Sequence, residues 1–69
     1  MKKVLSIEGM SCMHCVAHVK EALEAIEGVQ NVVVSLDDNL AIVETEVSDD
    51  VLKNAVEDEG YDVVEIRQE

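Results

Sequence analysis

The order of apolar and polar residues along the chain predicts alternating strands and helices. Residues 3–8 alternate weakly, which predicts a first strand with Leu5 and Ile7 facing inward. From about residue 15 to residue 27 the apolar residues fall three and four positions apart, the period of an amphipathic helix, and Gly28 is expected to stop it. The apolar stripe of this helix consists of Val16, Val19, Leu23 and Ile26.

The second half of the chain predicts two strands, a helix and a last strand. A β-branched run is followed by the turn residues 37–39, which indicates a hairpin. Ser48 can cap the second helix, and Asp49 and Asp50 suit the positive first turn. The predicted strands lie at 31–36, 40–46 and 61–66, and the helix ends at Gly60.

The order strand, helix, strand, strand, helix, strand is typical of one fold class. Two split βαβ units give an α+β, ferredoxin-like βαββαβ sandwich, in which both helices cover one face of a four-stranded antiparallel sheet. If Ala41 and Val43 face the helices, Leu40 and Ile42 lie on the open face of the sheet. We interpret these two residues as strand formers on a solvated face rather than as a docking surface.

The length and residue usage favour a small binding module. The 69 residues form one domain, 1–69, with little room for an enclosed substrate cavity, so no enzymatic activity is expected. Tyr61 is the only aromatic residue, and the core must therefore be aliphatic. Two cysteines are too few for a disulfide-stapled scaffold, and no apolar run is long enough for a signal peptide or a membrane span. A cytoplasmic protein without membrane insertion is expected.

The charge is strongly acidic and unevenly distributed. Five basic and 16 acidic residues give a net charge of −11, which argues against nucleic acid as a partner. Residues 9–20 contain no carboxylate, whereas residues 21–52 contain no lysine or arginine. The segment around the cysteines is therefore predicted to be the least negative part of the surface, and a docking partner is expected to be basic.

Both cysteines lie in the segment Gly-Met-Ser-Cys-Met-His-Cys at residues 9–15. A structural zinc site usually needs two such pairs, so here it would have to recruit a histidine or a carboxylate. A dithiol redox site usually lies in a larger thioredoxin-like domain. An open site with two thiolates suits soft ions that accept near-linear sulfur coordination, such as Cu(I) or Hg(II).

The position of the cysteines favours the thiolate form. Cys15 lies at or near a predicted helix N-terminus, where free N–H groups and the helix dipole stabilise an anion. Cys12 can converge on the same point. Two ligands on an exposed loop leave a bound ion open to another thiol, which suits transfer better than storage.

The segment at 9–15 resembles the GMxCxxC signature of the heavy-metal-associated domain family, and the similarity continues at residues 27–29, 32–36 and 55–63. The resemblance is greatest to bacterial cytosolic copper chaperones. It implies Cu(I) binding by Cys12 and Cys15 and transfer, by thiolate exchange, to the metal-binding domains of a copper-transporting P-type ATPase. It also implies a monomer without metal and allows a metal-bridged dimer. Family members that bind Zn(II), Cd(II) or Hg(II) share the signature, so the signature does not determine which ion is bound.

The resemblance also suggests roles around the two ligands. Met10 is expected to pack beneath the loop rather than to bind the metal, and His14 could tune the thiolates or join a bridged dimer, although a plain exposed histidine is the simpler interpretation. Tyr61 resembles the aromatic residue that bacterial members place beside the loop. Met13 and His18 are expected to face solvent without a role. A small dithiol oxidoreductase and an interaction module with dispensable cysteines are the alternatives from other functional classes.

Overall fold

The computed structural model describes all 69 residues and contains the six predicted elements in the predicted order. All strand pairs are antiparallel, and the strand order in the sheet is β2-β3-β1-β4, which confirms the ferredoxin-like fold. The elements are β1 (Lys2–Glu8), α1 (Met13–Glu24), β2 (Val29–Ser35), β3 (Leu40–Thr45), α2 (Asp49–Asp58) and β4 (Asp62–Gln68).

The core lies between the sheet and the two helices and is aliphatic apart from a methionine. Leu5 and Ile7 face inward from β1, as predicted, and pack against residues of α1 and α2. Leu23 and Leu52 are fully buried, one from each helix. The core cluster consists of Leu5, Ile7, Met10, Val16, Val19, Leu23, Val32, Ala41, Val43, Leu52 and Val56.

Helix α1 is shorter at its C-terminus than the apolar pattern predicted. It ends at Glu24 with Ala25 as its C-cap, so the prediction of a helix to residue 27 was wrong. The Ile26 N–H donates to the Leu23 carbonyl, and the turn that follows still directs Ile26 against the core. The apolar periodicity therefore extends past the end of the helix, because the turn after Glu24 still places Ile26 on the side that faces the core.

The open face of the sheet carries an apolar row. Val4 is opposite Ile42, and Ile42 is opposite Val33 on the other side. Leu40 and Ile42 are half-buried on this face, as predicted. Val4 is only 4% exposed and yet does not belong to the core cluster, since it lies on the open face between Ile42 of β3 and Arg67 of β4.

Lys3 is the buried cation of the fold, a role that the sequence pattern did not indicate. Its Nζ donates to the Val47 carbonyl at 2.7 Å and to Asp49 Oδ1 at 2.8 Å. Asp49 lies in the first turn of α2, as predicted, and Ser48 occupies the N-cap position without a side-chain capping bond. Lys3 therefore ties the central strand β1 to the start of α2.

Candidate metal centre

The cysteine loop leaves the sheet at the end of β1, and glycine makes that exit possible. Gly9 has φ +100°, a conformation that residues with a Cβ rarely adopt. A Cβ at this position would lie 3.5 Å from Tyr61 Cδ1, so the tyrosine ring packs closely over the loop. The Ile7 N–H donates to the Asn39 carbonyl at 2.8 Å, which holds the preceding strand end in place.

The first turn of α1 brings the two cysteines together. Cys12 is the N-cap with extended backbone, and its carbonyl accepts from the N–H groups of Cys15 at 3.1 Å and Val16 at 3.3 Å. The two Sγ atoms lie 3.7 Å apart, well beyond the roughly 2.05 Å of a disulfide, so both thiols are free. Cys12 is exposed, whereas Cys15 is partly buried against the core.

The surroundings of Cys15 favour its thiolate. The pKa of Cys15 is lowered from the ordinary 9.0 to about 6. Hydrogen bonding with the Tyr61 side chain is the largest cause, and the backbone of Ser11 contributes next. The same interaction raises the pKa of Tyr61 to about 12, so the phenol keeps its proton at neutral pH. Cys15 is therefore largely anionic at neutral pH.

The remaining residues named from the sequence lie at different depths. Met10 is 6% exposed and belongs to the core cluster, as expected of a packed residue beneath the loop. Met13 is 68% exposed at the start of α1, and His14 and His18 are exposed on the same helix. No group of three or more His, Cys, Asp or Glu residues is arranged to hold a metal ion. The donor set at the loop consists of two thiols.

The loop contains no carboxylate, but the fold brings carboxylates next to it. Glu8 pairs with Asp62 across β1 and β4, where the loop begins. Glu59 is close enough to contribute to the raised pKa of Tyr61. The acid-free segment predicted from the sequence thus lies beside acidic groups from the start of β4 and the end of α2, which no local pattern indicated.

The comparison with protein families identifies the domain. Residues 4–62 match the model of the heavy-metal-associated domain. The chain belongs to this family. The family supports binding of a soft metal by the domain, and the pair of free thiols at the start of α1 is the chemistry that such an ion requires.

Three relatives show what kinds of protein contain such a domain. The chain is 46% identical over 66 residues to a copper chaperone CopZ of Staphylococcus haemolyticus, and the alignment covers 91% of this chain and 97% of that relative. It is 55% identical over 60 residues to a mercuric reductase of Shewanella putrefaciens, which covers 84% of this chain but 11% of that enzyme. A solved CopZ metallochaperone superposes with a TM-score of 0.88 at 40% identity, covering 93% of this chain and all of the other.

These relatives support a metal-carrying role for the heavy-metal-associated domain. The match to the reductase includes only a small part of that enzyme, so it concerns the domain and not the reductase activity. The helices of the structure are all too short or too polar to cross a membrane.

Proposed function

We propose that this heavy-metal-associated protein is a cytoplasmic, non-enzymatic chaperone for Cu(I). Cys12 and Cys15 bind the ion, and a metal-binding domain of a copper-transporting P-type ATPase receives it. The observation that carries the proposal is the pair of free thiols, 3.7 Å apart at an exposed helix N-terminus with no third metal ligand grouped with them. The similarity to copper chaperones over nearly the whole chain supports the same role.

Capture needs only a small movement of the loop. With the roughly 2.3 Å of a zinc–thiolate bond as a guide, a linear sulfur–metal–sulfur unit would span about 4.6 Å, somewhat more than the present separation of 3.7 Å. Cys12 is exposed and can widen the gap by side-chain rotation, whereas Cys15 is partly buried against the core with Ser11 Oγ 4.0 Å from its sulfur. Because Cys15 is already a thiolate, the ion can bind its sulfur first, and the sulfur of Cys12 then binds the same ion.

Transfer depends on the same difference in exposure between Cys12 and Cys15. An incoming thiolate of the partner forms a bond to copper, which becomes three-coordinate, and the bond to the more exposed Cys12 breaks. A second partner thiolate then displaces Cys15. Each copper–sulfur bond formed to the partner replaces one that breaks, each cysteine leaves as a thiolate, and copper stays Cu(I) throughout.

Hg(II) is the second candidate ion. It also accepts near-linear coordination by two thiolates, and the similarity to a domain of a mercuric reductase favours it over Zn(II) and Cd(II). Zinc and cadmium sites usually need more ligands, and no third donor is grouped with the cysteines.

A competition titration tests the proposal. The reduced protein is titrated with Cu(I), Hg(II) and Zn(II) against chelators of known affinity. We expect one Cu(I) per chain, bound far more tightly than Zn(II). Cys12→Ser and Cys15→Ser should each lose at least about 100-fold in Cu(I) affinity, equal to roughly 2.8 kcal/mol, while circular dichroism shows an intact fold.

Met13→Leu is the matched control for the cysteine variants. It removes an exposed sulfur that directly follows Cys12, and it should leave Cu(I) affinity unchanged. Full Cu(I) affinity in either serine variant would disprove the ligand assignment. Reduction of insulin disulfides at a rate typical of thiol oxidoreductases would instead support the redox alternative.

A further inference from the structure

Helix α1 carries a second pair of metal-ligating side chains outside the thiol pair. His14 and His18 lie four positions apart within Met13–Glu24, a regular helix. We propose that these two histidines form a separate binding site for a borderline divalent cation of the Zn(II), Ni(II) and Cu(II) class, on the solvent-facing side of α1.

The helix geometry places the two imidazoles on one face. Residues four positions apart lie about 40° apart around the helix and about 6 Å apart along its axis, and their Cβ atoms are roughly 5–6 Å apart. Two histidines at this spacing on one helical turn are the arrangement by which many zinc enzymes bind their metal. A rigid backbone therefore holds the two nitrogen ligands close enough to converge on one ion.

Both imidazoles are free to bind. His14 and His18 are exposed, and neither side chain takes part in a hydrogen bond or an ion pair. The apolar stripe of α1 lies on the opposite side, so a bound ion would not disturb the core. Binding requires only the ordering of two surface side chains.

The histidine pair and the cysteine pair select different ions because their donor atoms differ. Imidazole nitrogen suits Zn(II), Ni(II) and Cu(II), whereas the thiol pair suits softer ions such as Cu(I). The net charge of −11 attracts divalent cations, and the positive N-terminal pole of α1 partly opposes this at His14. With two protein ligands and no third one grouped with them, water completes the coordination and the ion exchanges readily.

The test isolates the histidines in the full-length chain. In a Cys12→Ser/Cys15→Ser background, Ni(II) and Zn(II) are titrated by calorimetry, and Ni(II) broadening of histidine ring resonances is followed by NMR. We expect one ion per chain and selective broadening at His14 and His18. His14→Gln or His18→Gln should weaken Ni(II) binding at least about tenfold.

A variant with the same number of histidines is the matched control. His18→Gln/Lys20→His keeps two histidines but places them six residues apart, roughly a third of a turn around the helix and about 9 Å along its axis. This variant should bind Ni(II) as weakly as the single variants. Wild-type protein loaded with Cu(I) should still bind Ni(II), because the thiols are occupied and the histidines are not.

Three results would overturn the inference. The first is that the Cys12→Ser/Cys15→Ser protein does not bind Ni(II) or Zn(II). The second is that adding His18→Gln to that protein leaves its Ni(II) affinity unchanged. The third is that the His18→Gln/Lys20→His control binds Ni(II) with full affinity. None of them bears on Cu(I) binding by the thiols, which the cysteine variants test separately.

Discussion

Tyr61 is the residue that distinguishes the two cysteines. Its hydroxyl is the largest cause of the lowered pKa of Cys15, and its ring packs over Gly9 at the start of the loop. Tyr61 is 46 positions away from Cys15 in the chain, so the contact depends on β4 lying next to β1. One side chain thus shapes the loop and stabilises one of its thiolates.

Tyr61→Phe should raise the pKa of Cys15 from about 6 toward the ordinary 9.0, because the ring remains but the donated hydrogen bond is lost. A thiolate is the reactive form, so alkylation of Cys15 in a Cys12→Ser background should slow at neutral pH. The pH dependence of the iodoacetamide reaction measures the shift. Ser11→Ala, which removes the smallest of the contributing hydrogen bonds, is the control and should shift the curve less. An unchanged curve in Tyr61→Phe would exclude the proposed hydrogen bond.

At the scale of elements, the loop depends on how β1 ends and α1 begins. Gly9 turns the chain with a positive φ, and Cys12 then caps α1 with its carbonyl. These two features set the direction from which both thiols approach one another. At the other end of the sheet, Gly28 has a similar φ of +94° but no connection with the loop.

Gly9→Ala should lower the free energy of unfolding by roughly 1–2 kcal/mol, the cost of a positive φ for a residue with a Cβ. It should also weaken Cu(I) binding several-fold, because relief of the strain shifts the loop and the ring of Tyr61. Gly28→Ala is the matched control, with the same backbone strain and a Cβ only 3.2 Å from Val47 Cγ2. Denaturant unfolding should show a loss at least as large in the control. Equal Cu(I) affinity in both variants and the wild type would contradict a role for Gly9 in positioning the loop.

At the scale of the whole molecule, the net charge of −11 on 69 residues is the dominant physical property. Like charges held close together in the folded state repel more than in an expanded chain. The last turn of α2 adds to this, because Glu57, Asp58 and Glu59 lie near its negative pole without a basic residue. The same charge is expected to steer the protein toward a basic partner.

Added sodium chloride should raise the melting temperature, because screening reduces the repulsion within the folded state. Each kcal/mol of relieved repulsion corresponds to roughly 4–8 °C for a domain of this size. Melting curves at several ionic strengths test this. Glu57→Gln/Asp58→Asn removes two negative charges, which changes the net charge from −11 to −9, and the variant's melting temperature should depend less on salt. A melting temperature that falls with salt would mean that attractive ion pairs outweigh the repulsion.

The sequence by itself determined the six elements, the fold class and the position of the thiol pair. These features follow from local patterns: the spacing of apolar residues, the glycines that end elements, and two cysteines three positions apart at a helix start. Such patterns act over a few residues and do not depend on distant parts of the chain. The end of α1 was misjudged because Ile26 continues the apolar period within a turn.

Only the tertiary structure decided what surrounds the thiols and how the fold is tied together. The contact of Tyr61 with Cys15, the burial of Lys3 against Val47 and Asp49, and the carboxylates beside the acid-free loop all join distant segments. The resemblance to the family suggested that Tyr61 lies near the loop, but not that it lowers the pKa of Cys15. Strand order and register set these contacts, because they determine which side chains of distant segments become neighbours.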